Sequence, residues 1–478
     1  MSPAARGTRI GAAALAFAAT MLSPDSEAAA QCTAERPTDP SPSTGLTYGA
    51  APVAFVDRTD VRVWYATLGP HTPNAPTDPD DAADVLQQAL AGFAAMGYLP
   101  PPGDGGYDPC ASNGGDGRLD AYIMSFGGSA DGTAVTEQCT GGITVTCSGF
   151  MILDVSLSGY GSYTIGTQVV GAHELFHLVQ YAYDADMDRW WLEGTAQWAT
   201  DQLYPELTDM ESFFPVFFAD IERPLNSPPG GIVAGWLYGS AIWPTFLGEH
   251  LGPQVVLDIM DRQATRGGDV IDTTSDVLVD AGTDLPSTHG LFVAWNAATG
   301  DRASDPGGYA DAAKYPMVTL STGPDAIGES LNGLLAGLMP RYYVSHGVAR
   351  HLSIDVDPAR ARAYAVPLVE GRARLEALAE LPTDVDGDTV VVVVGTTTSK
   401  IDVPYRLEIN EASFVDEPPV DEPPAPDTDS GSSTESGGCA IHPGHDDPST
   451  VWRLACAALI GLRLRRRGYL LGWGVTRR

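Results

Sequence analysis

Apolar positions change their spacing several times along the chain, and each change predicts a different element. "VRVWYA" (61–66) reads as a strand. In "TDPDDAADVLQQALAGFAAMGY" the residues Val85, Leu86, Ala89 and Phe93 recur at helical spacing. Thr77 or Asp78 can cap that helix, Pro79 suits its first turn and Gly97 ends it. "GGDGRLDAYIMSF" predicts a turn and then a strand, and "GITVTC" and "FMILDVSL" predict two more. "TQVVGAHELFHLVQYAY" returns to helical spacing, with Val169, Val170, Phe176, Val179 and Tyr183 as apolar filling. A short polar loop separates it from a second helix, "RWWLEGTAQWATDQLY", and "GWLYGSAIWPTFLGEHLG" and "PQVVLDIMDRQA" continue the helical texture. From about Leu338 the segments become short and β-rich, as in "RYYVSHGV", "ARAYAVPLV" and "DTVVVVVGTTT", which predicts a small β-sandwich. Strands followed by helices make the fold class α+β.

The flanks are not part of that fold. Arg6 and Arg9, an apolar run over 10–22 and the small residues of "SEAAA" predict a secretory signal peptide over 1–30. The expected order is then 31–337 for the main domain, 338–412 for the β-rich domain and 413–438 for an acidic, Pro/Ser-rich linker. The remaining segment, 439–478, holds Cys439, a polar spacer, a short apolar run over 454–462 and an arginine cluster. It resembles the myxobacterial C-terminal sorting segment, which implies retention at the outer cell surface. A plain basic tail is the other reading, because the apolar run is well short of the ~20 residues a spanning helix needs.

The formal charge is −34, from 27 basic and 61 acidic residues. Such a chain is repelled by nucleic acid, which removes that partner class. Four cysteines, Cys32, Cys110, Cys139 and Cys147, lie in the mature body and fit an exported protein. "CTGGITVTC" favours pairing Cys139 with Cys147, leaving Cys32 with Cys110 by elimination.

The candidate chemistry lies in "HELFH". His173 and His177 are one helical turn apart, so their imidazoles project from one face and can hold a metal ion. Glu174 sits about 100° round the helix, where a general base beside the metal belongs. Zinc catalysis needs a third protein ligand. Asp184, Asp186 and Asp188 follow the first helix, but its end at about Tyr183 lies about 9 Å beyond His177. Those aspartates therefore point away. Glu193, about a turn into the returning helix, can come back to the level of the histidines, and Gly194 and Ala196 permit close helix packing. Trp190, Trp191 and Trp198 are expected in the core. The alternate aspartates resemble the start of a calcium loop, as does "DVDGD" (384–388), but neither has the rest of that pattern.

"HELFH" followed by "WWLEGTAQW" resembles the gluzincins, zinc peptidases whose third ligand is a glutamate on the following helix. More narrowly, it is similar to secreted bacterial metalloproteases that pair HE-x-F-H-x-x-Q with W-x-x-E-G-T-A-x-W. The resemblance covers about 61–252. It implies a zincin-like catalytic domain, one catalytic Zn²⁺ held by His173, His177 and Glu193, Glu174 as base, and a protein or peptide substrate. In aminopeptidase-type members a tyrosine on a later helix hydrogen-bonds the oxyanion; Tyr238 matches that position, with Ala241 where the family has glycine. His250 and a plain packing role for Tyr238 stay open beside it. No Gly-Ala-Met-Glu-Asn-like exopeptidase signature is present, which favours an endopeptidase. Strands over 143–157 are expected to offer an edge for extended peptide. The rival reading is a surface binding or adhesion protein whose zincin domain is inactive or holds zinc structurally.

Overall fold

The computed structural model describes residues 36–39, 42, 45–103, 114–230, 234–304, 306–398 and 401–412. The expected signal peptide, linker and sorting tail, together with Cys32 and Cys110, lie outside them. The described residues form a mixed α+β fold with three sheets.

Alternation along the strands sets the two faces of the first sheet. β1 (Val53–Asp57) pairs antiparallel with β2 (Val61–Ala66). α1 (Asp78–Ala95) leads to β3 (Leu119–Met124), which lies parallel to β2. β4 (Gly132–Gly141) and β5 (Val145–Asp154) form a hairpin, and the sheet order is β1-β2-β3-β5-β4. Ala121, Ile123, Met151 and Leu153 join the core that contains the helices. Their neighbours Tyr122, Met124, Phe150 and Ile152 bury against Tyr48 on the opposite face. On that side Arg36 is fully buried: its guanidinium pairs with Asp120 and, at 2.6 Å twice, with Glu137 of β4.

The expected strands in "GITVTC" and "FMILDVSL" are one strand, β5, and its partner β4 was not foreseen. Cys139 and Cys147 lie opposite each other in this hairpin and form a disulfide, as expected. The peptide-binding edge expected over 143–157 needs correction, because β5 lies between β3 and β4. Among the described residues the edge on that side is β4.

α2 (Tyr163–Gly166), one π-helical turn (Thr167–Gly171) and α3 (Ala172–Gln180) run on without a break. α4 (Arg189–Leu203) returns against α3. α6 (Ala234–Gly239) and α7 (Ile242–Leu251) pack on α4, and α5 (Phe214–Ala219) packs on α6. α8 (Gln254–Arg266), α9 (Val270–Asp280) and α10 (Leu285–Ala297) complete the helical layer.

The β-rich part begins before Leu338. β6 (Ser321–Thr322) and β7 (Ser330–Ala336) already belong to it. They are followed by β8 (Pro340–Ser345), β9 (Arg350–Asp355), β10 (Ala361–Val369), β11 (Arg372–Ala373) and β12 (Ala379–Glu380). β13 (Thr383–Val385), β14 (Thr389–Gly395) and β15 (Asp402–Glu411) end it. One sheet runs β11-β10-β14-β8-β6 with β12 on β10, and the other runs β13-β9-β15-β7. Val391 and Val393 of β14 face the second sheet, in a core with Leu407 and Ile409. Val390, Val392 and Val394 face α10 and share the core of the helical layer. Burial on both faces explains the unbroken valine run. No helix among the described residues is long and apolar enough to cross a membrane.

Candidate metal centre

The α3 helix is held by its apolar side. Phe176 meets Phe93 and Tyr98, each with ring centroids 5.0 Å away, and Leu175, Leu178 and Val179 are buried. That leaves His173 and His177 on the other side, ring centroids 4.7 Å apart and nearly perpendicular. The loop after α3 is tied rather than free. Ala185 N–H donates to Val145 O, and the Asp184 carboxylate accepts from Val145 N–H, Asp186 N–H and Gln263 Nε2. Asp188 accepts from Val270 N–H at 3.1 Å and precedes α4. Trp190, Trp191 and Trp198 are buried, as expected. At Gly194 a Cβ would sit 2.6 Å from Ser240 Oγ, so this position lets α4 approach the end of α6 closely.

With those constraints Glu193 comes back to the histidines. His173 Nε2 is 3.2 Å from Glu193 Oε2, His177 Nε2 is 3.4 Å from it, and the two Nε2 atoms are 3.1 Å apart. Tetrahedral ligands at zinc distances of about 2.0–2.1 Å stand about 3.3 Å from one another, so the donor set fits such an ion. This is the one group of three or more His, Cys, Asp or Glu ligand atoms among the described residues that converges in this way. The aspartates at 184–188 do not converge. Asp384 and Asp388 instead pair with His351 and His346, at 2.7 and 2.9 Å.

Electrostatics follow from burial and contact. Burial works against the Glu193 carboxylate, but hydrogen bonds from His173 and His177 outweigh it and hold its pKa well below the usual range. Burial also lowers His177, yet its contacts with Glu193 and the nearby Glu174 bring it up to about 9. Glu174 moves the other way: burial raises it, against the pull of the two histidines and a hydrogen bond from Ala134 N–H of β4. Gly132, at the start of β4, has no side chain because Val170 and Glu174 occupy the space; a Cβ there would lie 2.6 Å from Val170 Cγ1 and 3.0 Å from Glu174 Cγ.

Tyr238 is brought to the site. Its ring packs edge-on against His173 at 5.4 Å and against Phe213 at 4.9 Å, and burial raises its pKa, helped by Glu193 and Glu174. His250 instead stacks on Phe246, with Trp295 at its edge.

Two buried residues that sequence reasoning left without a role join this centre. Gln180 Oε1 lies 2.7 Å from His177 Nδ1, and its Nε2 donates to Leu192 O and Thr195 Oγ1, each at 2.8 Å. The signal was present in the spacing, since Gln180 lies three residues after His177 and so on the same side of the helix.

No family model and no curated sequence matches this chain. Among solved structures, a Salmonella Typhimurium periplasmic inhibitor of g-type lysozyme is similar over 20% of this chain and 95% of its own, at 12% identity and a TM-score of 0.14. A mutant of the Escherichia coli inhibitor is similar over 18% of this chain and 88% of its own, at 11% identity and a TM-score of 0.13. Likeness at that level carries no argument about fold or function.

Proposed function

We propose that the chain is a secreted zinc-dependent endopeptidase with a zincin-like catalytic domain. The observation that carries this reading is a three-donor centre with a fourth residue, Glu174, beside two of its ligands. A purely structural zinc site has no use for that carboxylate. When bound, zinc lowers the pKa of its water towards neutrality and polarises the scissile carbonyl.

The chain's residues then do the rest. Glu174 takes the proton from the attacking water and returns it to the leaving amine. Its raised pKa suits both halves of that transfer. The Tyr238 hydroxyl is the donor for the oxyanion, and burial keeps that hydroxyl protonated. The edge of β4 receives extended peptide by strand addition, in place of the edge expected over 143–157. The Cys139–Cys147 disulfide supports an oxidising compartment. The C-terminal segment would retain the enzyme at the outer surface.

The test compares wild type with Glu174→Gln for zinc content and cleavage of an unfolded protein substrate. Zinc is expected in both, with turnover lower by about 10²–10⁴-fold in the variant. A wild type that holds one zinc and cleaves nothing would favour the surface binding protein instead.

A further inference from the structure

We infer that Gln180 is a positioning residue that sets the tautomer of His177 and fixes the register of Glu193 against it. The inference rests on the metal-centre reading above and deepens it. Its starting point is the orientation of one buried amide.

Leu192 O is a carbonyl and can only accept. Thr195 Oγ1 gives its own proton to Trp191 O, at 2.6 Å, so towards Gln180 it also accepts. Both positions therefore need N–H donors, and the two hydrogens of Gln180 Nε2 fill them. The remaining amide atom is Oε1, which can only accept, and it faces His177 Nδ1 at 2.7 Å. His177 must then carry a proton on Nδ1. In the neutral ring that leaves the Nε2 lone pair free, and Nε2 is the atom that meets His173 and Glu193. Gln180 and Thr195 are both fully buried, so water cannot take over either contact.

The same amide grips the second helix. Leu192 O belongs to the peptide group that leads into Glu193. A single side chain thus orients one ligand and pins the backbone beside another. Loss of an outer partner of this kind typically weakens metal affinity.

The full chain is titrated with Zn²⁺ against a competing chelator as wild type, Gln180→Leu, Thr195→Val and Thr195→Ser, with circular dichroism as the fold check. Gln180→Leu is expected to weaken zinc about 10–100-fold. Thr195→Val is expected to weaken it less, and Thr195→Ser, which keeps the hydroxyl, to restore wild-type affinity. In zinc-loaded wild type, ¹⁵N-histidine NMR is expected to show His177 metal-bound at Nε2 and protonated at Nδ1. Zinc affinity of a folded Gln180→Leu within twofold of wild type overturns the inference. So does metal on His177 Nδ1 in the wild type. If Gln180→Leu does not fold, the two Thr195 variants and the NMR assignment decide it. A wild type that takes up no zinc at all sinks the metal-centre reading itself, a separate outcome.

Discussion

Gly132 leaves no room for a side chain beside Glu174, and that makes it a test of the base's position. In Gly132→Val the added atoms must displace Val170 or Glu174. Turnover of a protein substrate is expected to fall by about 10²-fold, the scale of a 1 Å misplacement, with zinc content unchanged. Full activity in the variant would show that Glu174 needs no such confinement. Tyr238 gives an independent check. Tyr238→Phe keeps the ring against His173 and Phe213 but loses the hydroxyl, so kcat is expected to drop by about 10²–10³-fold with zinc retained. Unchanged kcat would leave Tyr238 a packing residue. At this scale much of the centre could be read from the sequence. Helical spacing and rise brought His173, Glu174, His177 and Glu193 together on paper. For Gln180 the spacing shows only that it shares a helix side with His177; its other partners, Leu192 and Thr195, come from a second helix whose register the sequence does not state.

Among the elements, what was hard to read is what lies at edges or is buried all round. β4 is half-exposed along most of its length, so it lacks the strict alternation that marks a strand. Ser148 and Gly149 looked like a break between two strands. In fact Gly149 allows a close approach: a Cβ there would sit 2.3 Å from Val135 O across the hairpin. α10 is apolar on nearly every side, which erases the helical period, and it lies between the other helices and β14. Its His289 makes a further prediction. The ring is fully buried near Trp243 and Phe292, and burial pulls its pKa down to about 4, against a hydrogen bond to the backbone of Gly395. The unfolded chain binds the proton more readily, so stability from this group is complete above pH 6.5 and is lost as pH falls towards 4. The loss amounts to about 3 kcal/mol across that window. Denaturant unfolding at several pH values should give a shallower pH slope for His289→Leu than for wild type. Equal slopes would sink the assignment.

At the scale of the molecule, the described residues are organised around one continuous core rather than around separate modules. Val390, Val392 and Val394 of β14 belong to the same buried core as α3, α4 and the first sheet. Tyr364 of β10 lies over Gly290 of α10, where a Cβ would come within 2.4 Å of the ring. The described part of the chain is therefore expected to unfold in one calorimetric transition. Two resolved transitions, one of them unaffected by chelation, would show that the sandwich is energetically separate. One further consequence comes from the π-helical turn at Thr167–Gly171, which hands the chain directly to the metal-binding helix. A turn of that kind is an ordinary helix carrying one surplus residue. Deleting a single residue there would heal the helix and leave the turns on either side in phase, whereas a deletion inside α3 would rotate one end by about 100° relative to the other. Single-residue deletions across 167–171 should therefore be tolerated better than single-residue deletions across 172–180. The signature would be a reading frame of side chains rather than of codons, visible in a deletion scan.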